Sequence, residues 1–163
     1  MSDPDSLSVK PTPFTNPIQF LAFGFGSGLF PKAPGTAGTL AAVPLYLLVA
    51  QWSLPYYSVF ILVAALAGIW ICCEASRQLG VHDHGGIVWD EFVGFWITLW
   101  ALPVDWRWVV AGFVAFRIFD VLKPWPIGWL DKKIHGGLGI MLDDIIAGLL
   151  ACALLHAIRW YML

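Results

Sequence analysis

A chain of 163 residues has room for one domain, yet this one is 59% hydrophobic and only 12% charged, where a soluble domain carries about 25% charged residues. With ten tryptophans and a mean hydropathy of +0.74, it holds more apolar surface than a water-soluble globule of this size can hide, so lipid is the expected second solvent. The net charge of −2 decides nothing by itself, and no basic run points to nucleic acid as a partner.

Residues 1–16 are polar and proline-rich, with Asp3 and Asp5. They lack the basic start and apolar run of a cleavable signal peptide and are expected to form a disordered cytoplasmic tail, leaving 17–163 as a single membrane domain. The stretch 17–30 is apolar but studded with Gly24, Gly26 and Gly28, which predicts a re-entrant or interfacial segment. Four stretches, 38–54, 57–76, 106–122 and 140–162, approach the roughly 20 apolar residues of a transmembrane helix; a fifth, 87–103, is shorter. Pro44 in the first is tolerable in a membrane bundle. The expected fold is therefore all-α: an integral membrane bundle of about five helices with an interfacial N-terminal segment. Cys72, Cys73 and Cys152 all fall in apolar stretches and are expected as buried free thiols, not as a disulfide or zinc framework.

The positive-inside rule orients the chain. With the N-terminus inside, Lys10, Lys32, Arg77, Lys123, Lys132 and Lys133 fall on the cytoplasmic side, Arg107 and Arg159 on the other, and Arg117 within a helix. Three polar stretches, GFGSGLFPKAPGTAGT, HDHGGIVWDE and FRIFDVLKPWPIGWLDKKIHGGLGIMLDD, then share one membrane face, where distant segments can assemble one site.

Asp90, Glu91, Arg117, Asp120, Asp143 and Asp144 lie in or just inside apolar helices, where ionisable groups are costly and mark function. Five acids against one base cannot be satisfied by ion pairing alone; either acids are protonated or a cation sits among them. Carboxylates without clustered Cys or His select a hard cation such as Mg²⁺ over zinc. The competing readings are capping, since acids favour helix N-termini and each acidic pair begins an apolar stretch, and a structural Arg117–Asp120 ion pair three residues apart on one helix face. Asp144, Gly148 and Ala151 form a small-residue stripe that permits close helix packing.

Among the loops, the glycine- and proline-rich segment around Lys32, Thr36 and Thr39 can offer an anion nest, although it carries no Walker A spacing. Trp125 and Trp129 suit a membrane interface, and Lys123 can reach a phosphate or snorkel to water. His82, His84 and His135 are candidate general acids or plain polar loop residues. No Cys-x5-Arg loop, no Asp-x-Asp-x-Thr motif and no histidine-phosphatase constellation is present, so no covalent nucleophile is evident. Attack by a metal-activated water is the economical chemistry.

The motifs SGLFPKAPGTAGT, IVWDEFVG and FRIFDVLKPWPIGWLDKKIHGGLGIMLDDIIAG resemble those of phosphatidylglycerophosphatase A, over roughly residues 18–155. The resemblance implies a Mg²⁺-dependent lipid phosphatase of the bacterial inner membrane that converts phosphatidylglycerophosphate to phosphatidylglycerol and phosphate, with the family's DE pair on Asp90 and Glu91 and its DD pair on Asp143 and Asp144. The expected assignment has Asp90, Glu91, Asp143 and Asp144 around Mg²⁺. Glu91, Asp144, Lys123 and Arg117 are catalytic, and Lys32, Thr36, Thr39, Asp120 and His135 bind substrate. An ion-coupled carrier and a lipid head-group transferase are the alternatives.

Overall fold

Proline and glycine set the helix boundaries. The computed structural model describes residues 9–162, and its described residues form helices without strands. Asn16 caps α1 (Pro17–Ala22), its side chain accepting from the backbone N–H groups of Ile18 and Gln19. A 3-10 segment, Gly24–Leu29, follows, with left-handed backbone at Phe25 and Gly26. Pro34 opens α2 (Pro34–Val49) and Pro55 lies in the first turn of α3 (Leu54–Leu79), positions where a missing N–H costs nothing. Gly80, at φ 69, stops α3. Then come α4 (Trp89–Thr98), α5 (Trp106–Leu122) capped by Asp105, the short α6 (Ile127–Asp131), and α7 (Gly136–Met162).

The expected count of about five helices is corrected to seven α-helices and a 3-10 segment among the described residues. Two, α3 and α7, are long and apolar enough to cross a membrane. At 1.5 Å per residue they run about 39 and 40 Å, against a hydrocarbon core of about 30 Å. The stretch 87–103 yields only the ten residues of α4, about 15 Å. Its apolarity has another cause: every residue from Phe92 to Thr98 is buried.

Helix α4 forms the axis of the bundle, touching α2, α3, α5 and α7. Its polar atoms are matched to neighbouring backbone: Trp89 Nε1 donates to Ala64 O (3.1 Å), Trp96 Nε1 to Ala42 O (3.2 Å), and Tyr57 Oη to Trp96 O (2.8 Å). On the outside, α3 turns Val59, Leu62, Val63, Leu66 and Trp70 outward, an apolar surface of the kind that a lipid or protein neighbour covers. Cys72 and Cys152 are buried as expected, but Cys73 is exposed, because it sits about 100° around α3 from Cys72.

Of the stretch 1–16 expected as a tail, residues 1–8 lie outside the described residues. Residues 9–16 run against the end of α3: Val9 N–H donates to Leu79 O (3.1 Å), Thr12 N–H to Gln19 Oε1 (2.8 Å), and Asn16 Nδ2 to Gln78 Oε1 (2.8 Å).

Candidate active site

The site begins with two glycines. Helices α4 and α7 run parallel and cross at Gly94 and Gly148. A Cβ on Gly94 would come within 2.6 Å of Asp144 O, and one on Gly148 would strike the carbonyl oxygen of Gly94, with the carbon and Cα of Gly94 at 3.1 Å. Only hydrogen on both sides allows this approach. Four residues, about one turn, before Gly94 stands Asp90, and four before Gly148 stands Asp144. The crossing therefore stacks one acidic turn on the other, and Asp90, Glu91 and Asp144 offer oxygens that all lie within 4.8 Å of one another.

The other helices close the pocket. From α5, Arg117 pairs with Asp120, and its Nη1 lies 3.9 Å from Glu91 Oε1. Asp120 also faces Glu91 and Asp144. From the first turn of α2, Gly35 lies so close that a Cβ there would collide with Glu91 Oε1 and meet Arg117 Nη1 at 3.0 Å. The polar loops interlock beside it, Gly28 leaving no room for a side chain against Gly86. The three polar stretches that the sequence analysis grouped thus meet at one end of the bundle.

Four carboxylates, Asp90, Glu91, Asp120 and Asp144, gather here, and one guanidinium, that of Arg117, lies beside two of them, Asp120 and Glu91. Asp90 Oδ1, Glu91 Oε2 and Asp144 Oδ2 are buried and meet no hydrogen-bond donor, and neither does Oδ1 of the neighbouring Asp143. Unpartnered buried carboxyl oxygens are expensive, and most so when ionised. An all-oxygen donor set fits a hard divalent cation, and the residues present are sufficient to hold one. The capping reading separates the two acidic pairs: Asp90 and Glu91 do lie in the first turn of α4, whereas α7 starts at Gly136, so Asp143 and Asp144 are two turns inside it and cap nothing.

Asp143 does not join the three clustered carboxylates. It turns to Lys123, whose Nζ donates to Asp143 Oδ2 at 2.7 Å and lies 3.1 Å from Asp131 Oδ2. Adjacent residues on a helix point about 100° apart, so the DD pair serves two neighbouring groups. Burial alone would lower the Lys123 ammonium, yet hydrogen bonds to Asp143 and Asp131 hold it above its ordinary value. Burial likewise opposes the hydrogen bond from Lys123 at Asp131, and the hydrogen bond prevails, keeping that carboxyl low.

The remaining expected residues fall as follows. Lys32 is exposed on the loop before α2, and Thr36 lies in that helix's first turn. Thr39 is buried and its hydroxyl donates to Gly35 O at 2.8 Å, so that hydrogen is already committed. His135 is exposed with its ring 5.2 Å from that of His82, and His82 Nε2 accepts from the Gly136 N–H at 2.7 Å, tying the 80–88 loop to the start of α7. His84 Nδ1 accepts from Gly86 N–H (3.0 Å) and its ring faces Phe23. Three contributors were not expected: Gly35, Gly94 and Asp131. A signal for Gly94 was present, because DEFVG and DIIAG both place a glycine four residues after an aspartate.

A helical bundle that gathers unpartnered carboxylates beside an arginine and a lysine has the parts of a site for phosphoryl chemistry, where positioning and charge stabilisation dominate. The comparisons name the family. The model of the family described as phosphatidylglycerophosphatase A matches residues 20–159. The phosphatidylglycerophosphatase A of Escherichia coli (strain K12) is 52% identical over 145 residues, covering 88% of this chain and 84% of its own. That of Haemophilus influenzae is 45% identical over 157 residues, covering 95% and 96%. A Bacteroides thetaiotaomicron protein, named "Putative phosphatidylinositol-3-phosphatase", is 40% identical over 146 residues, covering 84% and 90%. No solved structure matches the chain. The chain belongs to the phosphatidylglycerophosphatase A family and is a phosphatase, which sets aside the carrier and transferase alternatives.

Proposed function

We propose that this enzyme hydrolyses the terminal phosphomonoester of phosphatidylglycerophosphate, releasing phosphatidylglycerol and inorganic phosphate, with Mg²⁺ held by Asp90, Glu91 and Asp144. The observation that carries the reading is the set of buried, donor-free oxygens on those three residues beside Arg117 and Lys123. When bound, the cation supplies Lewis acidity and lowers the pKa of a water.

The chain's own residues do the rest. Arg117 and Lys123 bind the phosphate oxygens and balance the negative charge that grows on them in the transition state. Asp120 fixes the guanidinium of Arg117, and Asp143 fixes the ammonium of Lys123. Water adds to phosphorus, the bond from phosphorus to the glycerol oxygen breaks, and that oxygen leaves with a proton. Lys32 and Thr36 at the entrance to α2, with His135, line the approach of the head group.

The enzyme works as a multi-pass protein of the bacterial inner membrane, with α3 and α7 as spans and the site at the cytoplasmic face. The outward apolar residues of α3 support the membrane location. Charge supports the orientation: Lys10, Lys32, Arg77, Lys123, Lys132 and Lys133 belong to the carboxylate end of the bundle, whereas Arg159 reaches Ala101 O at the other. The acyl chains then stay in the bilayer and only the head group enters. The Bacteroides relative carries a different head group in its name, which favours a division of labour in which the carboxylate centre is shared and the surrounding loops select the head group.

The test is phosphate release from phosphatidylglycerophosphate by the purified protein in detergent, with Mg²⁺ and with excess EDTA. EDTA is expected to abolish release and Mg²⁺ to restore it. A normal rate in the Glu91→Ala, Asp144→Ala double variant refutes the metal assignment.

A further inference from the structure

Lys123 closes α5 in a left-handed conformation, φ 42, which lets the chain leave the helix while the side chain faces α7. Its ammonium then lies between two carboxylates that differ in kind. The side chain of Asp143 is 11% exposed and rides on the 27-residue α7; that of Asp131 is 45% exposed and ends the five-residue α6. The bond to Asp143 is also the shorter, 2.7 Å against 3.1 Å. One partner is fixed by a helix packed into the core. The other ends a short helix at the surface, where it also faces Asp143 and His82.

We propose that Asp131 is a stand-in for the substrate phosphate: it occupies the outer side of the Lys123 ammonium in the free enzyme and is displaced when a phosphomonoester dianion enters. The inference rests on the reading of Lys123 as a phosphate ligand. The exchange is balanced by chemistry. An exposed carboxylate–ammonium pair is weak and easily released, whereas a phosphate dianion brings more charge and additional acceptor oxygens to the same donors. Asp143 stays in place throughout, so Lys123 keeps its aim while its outer partner changes. Asp131 is thus a positioning residue that sets the threshold for phosphate entry.

The experiment measures KM and kcat for phosphatidylglycerophosphate, and inhibition by inorganic phosphate, with the full-length protein in detergent micelles. In Asp131→Asn the competitor is neutral, so KM and the inhibition constant for phosphate are expected to fall together by about two- to fivefold, the range an exposed pair allows, while kcat stays within about twofold. Asp131→Glu restores wild-type values. In Lys123→Met KM rises, and adding Asp131→Asn to it produces no fall. If Lys123→Met raises KM but Asp131→Asn leaves KM and phosphate inhibition unchanged, or moves kcat and thermal stability instead, the stand-in role is overturned and the phosphate role of Lys123 survives. If Lys123→Met leaves KM unchanged, the phosphate reading of Lys123 falls and the proposal with it.

Discussion

Gly148→Ala adds one methyl group at the α4–α7 crossing, and the structure sets its cost. The new Cβ has nowhere to go, because what it meets is the backbone carbonyl of Gly94 and not the end of a flexible side chain. The helices must part by several tenths of an ångström to about 1 Å. Overpacking of this kind costs about 1–3 kcal/mol, partly offset by the roughly 1 kcal/mol that alanine gains over glycine inside a helix. The net loss of stability is therefore modest, at most about 2 kcal/mol. The effect on activity is larger. Asp90 and Asp144 lie one turn from the crossing on the two separating helices, and a displacement of about 1 Å at reacting groups can cost on the order of 10²-fold in rate. Phosphate release titrated against Mg²⁺, alongside thermal unfolding in the same detergent, reads both quantities. Gly148→Ala should show a rate reduced at least tenfold and a higher Mg²⁺ requirement with a small drop in Tm. Gly85→Ala, where a Cβ would meet nothing within 4 Å, is the neutral control. A Gly148→Ala enzyme with the wild-type rate and Mg²⁺ midpoint would refute the claim that this crossing aligns the carboxylates.

Gly35→Ala should reduce the rate by roughly tenfold or more with little change in Tm, since the added carbon strikes Glu91 and Arg117 at the rim of the site rather than the core. Asp143→Asn and Asp144→Asn should differ in kind. The first weakens the hold on Lys123 and mainly raises KM; the second removes a clustered oxygen and mainly lowers kcat, which steady-state kinetics on the two variants will separate. Tyr57→Phe removes the buried hydrogen bond to Trp96 O at the bundle axis. It should lower stability by about 1–3 kcal/mol in thermal or denaturant unfolding and leave phosphate release unchanged at temperatures where the variant is folded.

The amino-acid sequence by itself determined that this chain is helical, that it is far more apolar than an ordinary soluble domain, and that the acids of its apolar stretches outnumber the bases there. Hydropathy and charge counts depend on composition and order alone, and the excess of Asp90, Glu91, Asp120, Asp143 and Asp144 over Arg117 within the apolar stretches is legible there. The grouping of the glycine-rich loop, the DE turn and the KPWP loop at one end also followed from the order of apolar runs, because each run reverses the direction of the chain. Tertiary structure decided the rest. An apolar run reads the same whether it faces lipid or the middle of a protein, so only packing revealed that 87–103 holds a ten-residue axial helix. Two adjacent aspartates are equivalent in sequence but point about 100° apart on a helix. Only the placement of α4 and of the α5–α6 turn around α7 sent Asp144 to the acidic cluster and Asp143 to Lys123. A carboxylate's identity is local, whereas its partner is set by which distant backbone comes within reach.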